Sequence, residues 1–257
     1  MELRDKTVVV TGASSGIGLD LIRELSHHGC RILAVARTIG KINIDLSGVI
    51  PFACDISTPE NVDRLFEAAF KTLGGIDIFV ANAGFAYYEL IRQADWSRIE
   101  KIFRTNVFSS IYTAEKMKDL HGGQPYRMVI TASGMSFLSI PGYSLYSSTK
   151  AALHGFACAY RYELKPGQQL QMVYPIATKT SFFEEAGSGI PVPWPRQDSA
   201  TVARAIVDGI ERDRNTIMPS KLFLMTHFLG RLLPLVNTIY QKIEARKLFR
   251  WLETSAG

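Results

Sequence analysis

Tyr146 and Lys150 stand four positions apart in Tyr146-Ser147-Ser148-Thr149-Lys150. On a helix that spacing puts both side chains on one face. A phenol is a weak acid, with an ordinary pKa of about 10, and a neighbouring ammonium favours the phenolate. The pair is therefore suited to passing a proton to or from a carbonyl oxygen. Two solvated side chains on a surface helix would show the same spacing. The pair acquires meaning only from the elements that would position it.

Those elements begin with Thr7-Val8-Val9-Val10, a β-branched run that reads as a buried strand. It enters Thr11-Gly12-Ala13-Ser14-Ser15-Gly16-Ile17-Gly18, and an amphipathic helix follows from about Leu19 to His28. Strand, glycine turn and helix N-terminus together aim backbone N–H groups at a phosphate. The glycines let a ligand approach the backbone closely. Their spacing, G-x-x-x-G-x-G, differs from the G-x-G-x-x-G of the common dinucleotide fingerprint.

A second strand, Arg31 to Ala36, ends at Arg37-Thr38. A fold that binds NAD keeps an acid near this point for the ribose 2′-hydroxyl. This chain has Arg37, and no Asp or Glu until Asp45. A guanidinium matches a phosphate in geometry and charge, so Arg37 favours NADP over NAD. A surface arginine at a strand end is the alternative.

The alternation continues. Ile50 to Cys54 leads to Asp55-Ile56, and Thr58-Pro59-Glu60 starts a helix with proline in its first turn. Ile76 to Ala81 is an apolar strand opening onto Asn82-Ala83-Gly84, and one long helix is expected from about Trp96 to Leu120. Arg127 to Thr131 is the next strand, then a helix from about Tyr146 to Leu164. Leu170 to Tyr174 (strand), Val202 to Glu211 (helix) and Thr216 to Met218 (strand) complete the series. Strand and helix in this rhythm imply one α/β domain, a doubly wound parallel sheet with helices on both faces. Its expected extent is residues 1–219, with a hydrophobic, basic helical extension over 220–257.

Bulk composition narrows the function classes. A chain of 257 residues, 47% hydrophobic and 21% charged, can bury a full core and is not disordered. Its net charge of +5 is uneven. From Ser220 onward Lys221, Arg231, Lys242, Arg246, Lys247 and Arg250 face only Glu244 and Glu253. That excess argues against a nucleic-acid face spread over the domain. Cys30, Cys54 and Cys158 are far apart and lack metal-ligand spacing, so no metal is expected and a reducing compartment suits them. No apolar leader opens the sequence and no apolar run reaches about 18 residues, which makes the cytoplasm the expected location.

In this order the motifs resemble the short-chain dehydrogenase/reductase superfamily over about Lys6 to Pro219. The resemblance rests on Thr11-Gly12-(x)3-Gly16-Ile17-Gly18, Asp55, Asn82-Ala83-Gly84, Asn106, Ser133 and Tyr146-(x)3-Lys150, with Ser133 preceding Tyr146 by 13 positions. It implies that Tyr146 is the acid or base and that Lys150 lowers its pKa and holds the nicotinamide ribose. It implies that Ser133 bonds the substrate oxygen and that Asn106 anchors a relay water. The cofactor site it implies is Gly12, Ser14, Ser15, Gly16, Ile17, Gly18, Arg37, Thr38, Asp55, Ile56, Asn82, Ala83, Gly84, Tyr146, Lys150, Pro175, Thr178 and Thr180. Two departures stand out. Ile176 replaces the glycine usual after Pro175, and Thr131-Ala132-Ser133 replaces the usual double serine while keeping the hydroxyl.

The remaining segments bear on the substrate. Phe182-Phe183, Gly187, Gly189 and Pro191-Val192-Pro193-Trp194-Pro195 suit a loop that folds over an apolar ligand, or a surface loop stiffened by proline. Leu222 to Val236 is the most hydrophobic stretch, interrupted by His227, Arg231 and Pro234. Beyond it, Tyr240, Ile243, Leu248, Phe249 and Trp251 alternate with Lys and Arg. Such a tail can lie on a membrane, cover the cleft or join two copies. The expected function is NADP(H)-dependent interconversion of a hydrophobic carbonyl compound and its secondary alcohol, by a homodimer or homotetramer. A dinucleotide-binding regulator without turnover is the rival.

Overall fold

The β-branched runs form the strands of a seven-stranded sheet in the computed structural model, which describes residues 1–40, 42 and 46–255. Asp45 lies outside the described residues. The strands are β1 (Thr7–Thr11), β2 (Arg31–Ala36), β3 (Val49–Ala53), β4 (Ile78–Ala81), β5 (Tyr126–Thr131) and β6 (Gln168–Val173). After a separate two-stranded ribbon, β7 (Ala177–Lys179) and β8 (Arg196–Asp198), comes the last strand, β9 (Thr216–Ile217). The sheet order is β3-β2-β1-β4-β5-β6-β9. Every neighbouring pair is parallel.

A parallel sheet needs cover on both faces, which is why its strands are apolar throughout. Side chains alternate between the faces. Val9, Leu33, Val35 and Phe79 face α2 (Pro59–Leu73), α4 (Ser109–His121) and α5 (Ser144–Tyr160). Val8, Val10, Ile32 and Val80 face α1 (Gly16–His27) and α7 (Ser199–Glu211). Pro51, which cannot donate to a ladder, sits on the edge strand β3. The doubly wound parallel sheet expected from the alternation is the fold observed.

Several boundaries depart from the sequence reading, and three of these departures lie in the helices around the site. Helix α1 begins at Gly16, so its first turn belongs to the glycine turn itself. The expected helix from Trp96 is α3 (Trp96–Phe103), a π-helical turn (Arg104–Phe108) and then α4. Helix α5 opens two residues before Tyr146 and ends at Tyr160 in a 3-10 turn. A short helix, α6 (Phe182–Ala186), lies in the expected substrate loop, and α8 (Lys221–Leu232) and α9 (Pro234–Ser255) form the C-terminal extension.

Candidate active site

The carboxyl ends of β1, β2, β4 and β5 open onto one cleft, at the point where the chain reverses its direction across the sheet. In open α/β sheets this crevice is where ligands bind. Its floor starts at the glycine turn. Gly12 has φ +69, and a Cβ there would stand 2.9 Å from the Cα of Ala83. A Cβ on Gly18 would lie 2.1 Å from the carbonyl oxygen of Gly12. Only glycine lets α1 start this close to the strand end.

Thr11 ties the turn to the next strand. Its hydroxyl accepts from the backbone N–H groups of Asn82 (3.0 Å) and Ala83 (3.1 Å), and the Asn82 amide donates back to the Thr11 carbonyl at 3.2 Å. Asn82-Ala83-Gly84 is thereby laid against the glycine turn. Ser14, Ser15, Gly16 and Ile17 line the cleft where α1 begins, with no acid in the first turn. A helix N-terminus so arranged favours a negative ligand.

Arg37, Asp55 and Ile56 line the cleft beside β2 and β3. Arg37 is exposed, as is Thr38, which does not line the cleft. Asp55 spends one carboxylate oxygen on the Ser57 N–H at 3.1 Å. Pro175, Thr178 and Thr180 line the opposite wall.

At the far side Ser133, Tyr146 and Lys150 converge, all three buried. Lys150 Nζ donates to the Thr131 carbonyl at 2.8 Å and lies 5.6 Å from the centre of the Tyr146 ring. Burial lowers its pKa to about 8. Tyr146 does not show the lowered pKa expected from the Tyr-Lys spacing. Burial raises the phenol to about 12, and a hydrogen bond with Ser133 opposes that rise. Desolvation penalises both charged forms, and at Tyr146 it outweighs the Ser133 hydrogen bond. Ser133 Oγ also accepts from the Met135 N–H at 3.1 Å, which fixes the hydroxyl at the start of a 3-10 turn.

Asn106 stands behind the cleft. It sits in the π-helical turn, a feature often found at functional sites. Its Oδ1 accepts from the Phe85 N–H at 3.0 Å, and its Nδ2 donates to the Phe85 carbonyl (2.9 Å) and to Thr149 Oγ1 (3.1 Å). Thr149 donates in turn to the Tyr146 carbonyl at 2.7 Å. The amide thus spans the strand-end loop and α5.

Comparisons with known proteins bear on the family and the fold. A family model described as short chain dehydrogenase matches residues 6–190. The chain belongs to the short-chain dehydrogenase family. A 3-ketodihydrosphingosine reductase of Dictyostelium discoideum is 29% identical, over 86% of this chain and 77% of its own. A short-chain dehydrogenase/reductase from Burkholderia phymatum, solved with NAD, superposes with a TM-score of 0.79 at 19% identity, covering 90% of this chain and 94% of its own. A Sphingobium yanoikuyae short-chain dehydrogenase, solved with NADPH, gives 0.75 at 24% identity, over 93% of this chain and 95% of its own. The family is one of oxidoreductases that act between an alcohol carbon and a carbonyl carbon.

The family pattern in the sequence does not reach every residue of the cleft. Phe85 and Met135 line it, and nothing in their spacing marks them. The same holds for Lys101 and Thr105, which reach it from α3 and the π-helical turn. Phe182 packs its ring 5.4 Å from that of Tyr146, and Phe183 joins Met135, Ile140, Tyr143 and Tyr146 in one apolar cluster. Helix α9 closes this cluster from outside. Leu248 is buried in it, Trp251 meets Tyr88 with ring centres 5.1 Å apart, and Tyr240 donates to the Trp194 carbonyl at 2.9 Å. The periodicity of the tail gave no hint of which face would turn inward.

Proposed function

We propose that the chain is an NADP(H)-dependent oxidoreductase that interconverts a carbonyl and a secondary alcohol on a hydrophobic substrate, working chiefly as a reductase. The reading rests on the meeting of Ser133, Tyr146 and Lys150 in the cleft that Arg37 and the glycine turn also line. Arg37 follows β2 and Ser133 follows β5, three strand spacings away, or about 14 Å. The glycine turn lies between them. A dinucleotide laid across these strand ends would put its 2′-phosphate at Arg37, its pyrophosphate on Ser14 to Ile17 and its nicotinamide ribose near Lys150. The glycine cradle fits this cofactor, because added Cβ atoms would close it. Bound there, a reduced nicotinamide supplies the hydride.

The residues of the chain handle the oxygen and the proton. Burial keeps the Tyr146 phenol protonated at neutral pH, as an acid for an alkoxide must be. The Ser133 hydroxyl, anchored by Met135 N–H, donates to the same oxygen as charge develops on it. Lys150 spends one of its three N–H donors on Thr131 and keeps two for ribose hydroxyls. Phe85, Met135, Phe182 and Phe183 supply apolar walls for the rest of the substrate. The ketone in the name of the Dictyostelium relative is carried by a sphingoid lipid, which supports a hydrophobic substrate.

Fluorescence titration with NADPH and NADH tests the cofactor assignment. NADPH is expected to bind more tightly, and Arg37→Ala to remove most of the difference by loosening NADPH alone. Equal binding of both, unchanged in the variant, would remove Arg37 from the reading. A second expectation concerns pH. With saturating NADPH, kcat/KM for carbonyl reduction should hold level through neutrality and fall as Lys150 discharges near pH 8, well below the ionisation of Tyr146 near 12. Lys150→Arg should carry the falling limb to higher pH. A limb that stays in place would free Lys150 of that role.

Two quaternary and cellular features complete the reading. Ala151, Gly155 and Ala159 form an exposed small-residue row on α5, suited to close pairing of two copies into a dimer or tetramer. The free cysteines, with Cys30 and Cys54 buried, suit the cytoplasm.

A further inference from the structure

Helix α9 is apolar on two opposite faces. At 100° per residue Tyr240, Leu248 and Trp251 fall on one side, and these pack against the cluster that contains Tyr146. Leu235, Ile239, Ile243 and Phe249 fall on the other side and are exposed, Leu235 by 69%. Helix α8 repeats the pattern. Phe223 turns inward against Phe137, while Leu224, Met225, Phe228 and Leu232 are exposed, Phe228 by 65% and Leu232 by 63%. A soluble surface does not gather large apolar side chains on two successive helices without an occupant.

Charge says which occupant. Lys242, Arg246 and Arg250 share the outer face of α9 with those apolar residues, and Lys221 opens the outer face of α8. All four are exposed and have no ion-pair partner among the described residues. The acids are few. Glu244 is buried and paired with Lys247, which leaves Glu253 as the exposed one. A second copy of this chain would set these cations against one another. Neither helix alone is long and apolar enough to cross a bilayer, and the pair, which reaches that length and composition only when taken together, is bent by 115°. Amphipathic helices with cations among exposed leucines and phenylalanines lie in the plane of an anionic interface. Trp194, exposed by 68% and held to α9 through Tyr240, suits the same depth.

The geometry points to the outer faces of α8 and α9 as a docking surface for an anionic membrane. The inner face of the same α9 packs on the apolar cluster that contains Tyr146 and Phe183, so docking would bring that side of the cleft near the lipid phase where a hydrophobic carbonyl compound dissolves. That purpose rests on the proposed substrate class. The docking itself does not.

The experiment is flotation of the full-length protein with vesicles of phosphatidylcholine alone and of phosphatidylcholine mixed with phosphatidylserine. The expected result is binding to the mixed vesicles at low salt, at least roughly tenfold stronger than to the neutral ones. High salt should weaken it. Phe228→Glu with Leu232→Glu, both at exposed positions, should abolish flotation while NADPH binding, measured in parallel, stays as in the parent. Absence of binding to either vesicle, or equal binding to both, would overturn the proposal. So would sedimentation showing that the parent self-associates and the double variant does not, because a second copy would then own the face. Failure of the oxidoreductase reading would show instead as lost NADPH binding, with flotation unaffected.

Discussion

Tyr146→Phe is expected to lower kcat for carbonyl reduction by about 10²–10⁴-fold, the usual contribution of a positioned acid. The ring stays, so its contacts with Phe182 and Tyr143 and the fold around them stay as well. What goes is the one phenol that lies in the cleft beside the Ser133 hydroxyl. NADPH should still bind, since the glycine turn and Arg37 are untouched. The other carboxylates and amines of the cleft are poor substitutes. Glu185 accepts from Ser181 at 3.1 Å, and Asp55 accepts from the Ser57 N–H at 3.1 Å. A variant that reduced carbonyls as fast as its parent would move the acid to another group. A variant that left a regulatory output unchanged, in a parent with no measurable turnover, would favour the dinucleotide-binding regulator.

The parts of this site that were legible in the sequence are those that local chain geometry encodes. A β-branched run, three glycines and an amphipathic helix can hardly be anything but a strand, a tight turn and a helix start, and the structure has them at Thr7, Gly12 and Gly16. Tyr146 and Lys150 share a helical face because four residues make about one turn. Their environment is another matter. Spacing reports that an ammonium is near the phenol, but burial is set by Phe182, Met135 and the strand ends, which come from distant segments. Hence the direction of the Tyr146 shift was not readable. The π-helical turn was hidden for a similar reason. One extra residue in a helical ladder leaves the apolar pattern of Ile102 and Val107 nearly intact, so Trp96 to Leu120 reads as continuous. The tail is illegible in the opposite way. Leucines and aromatics occur on both faces of α9, and the packing of Leu248 and Trp251 tells the inner face from the outer.

Asn106→Ala should be a costly substitution just outside the cleft. The side chain is 1% exposed and makes three hydrogen bonds, two with the backbone of Phe85 and one with the Thr149 hydroxyl. An alanine fills neither the space nor the bonds, and each partner left unsatisfied in the interior costs about 1–3 kcal/mol. Because the Phe85 groups are only partly buried, the expected net loss is about 3 kcal/mol. For a domain of this size that lowers the melting temperature by roughly 6–12 °C. The loss should also reach the chemistry. A Cβ on Gly84 would lie 3.1 Å from Asn106 Oδ1 and 3.6 Å from Lys150 Nζ, so the loop that Asn106 holds is the one packed against the lysine. Thr149, freed of its amide partner, sits one residue before Lys150 and bonds the carbonyl of Tyr146. At a temperature where the variant is fully folded, kcat should therefore fall more than the affinity for NADPH, which is set mainly at the glycine turn and Arg37. A variant that melts like its parent would show that water replaces the amide at no cost. One that loses stability but keeps its kcat would confine Asn106 to holding the fold.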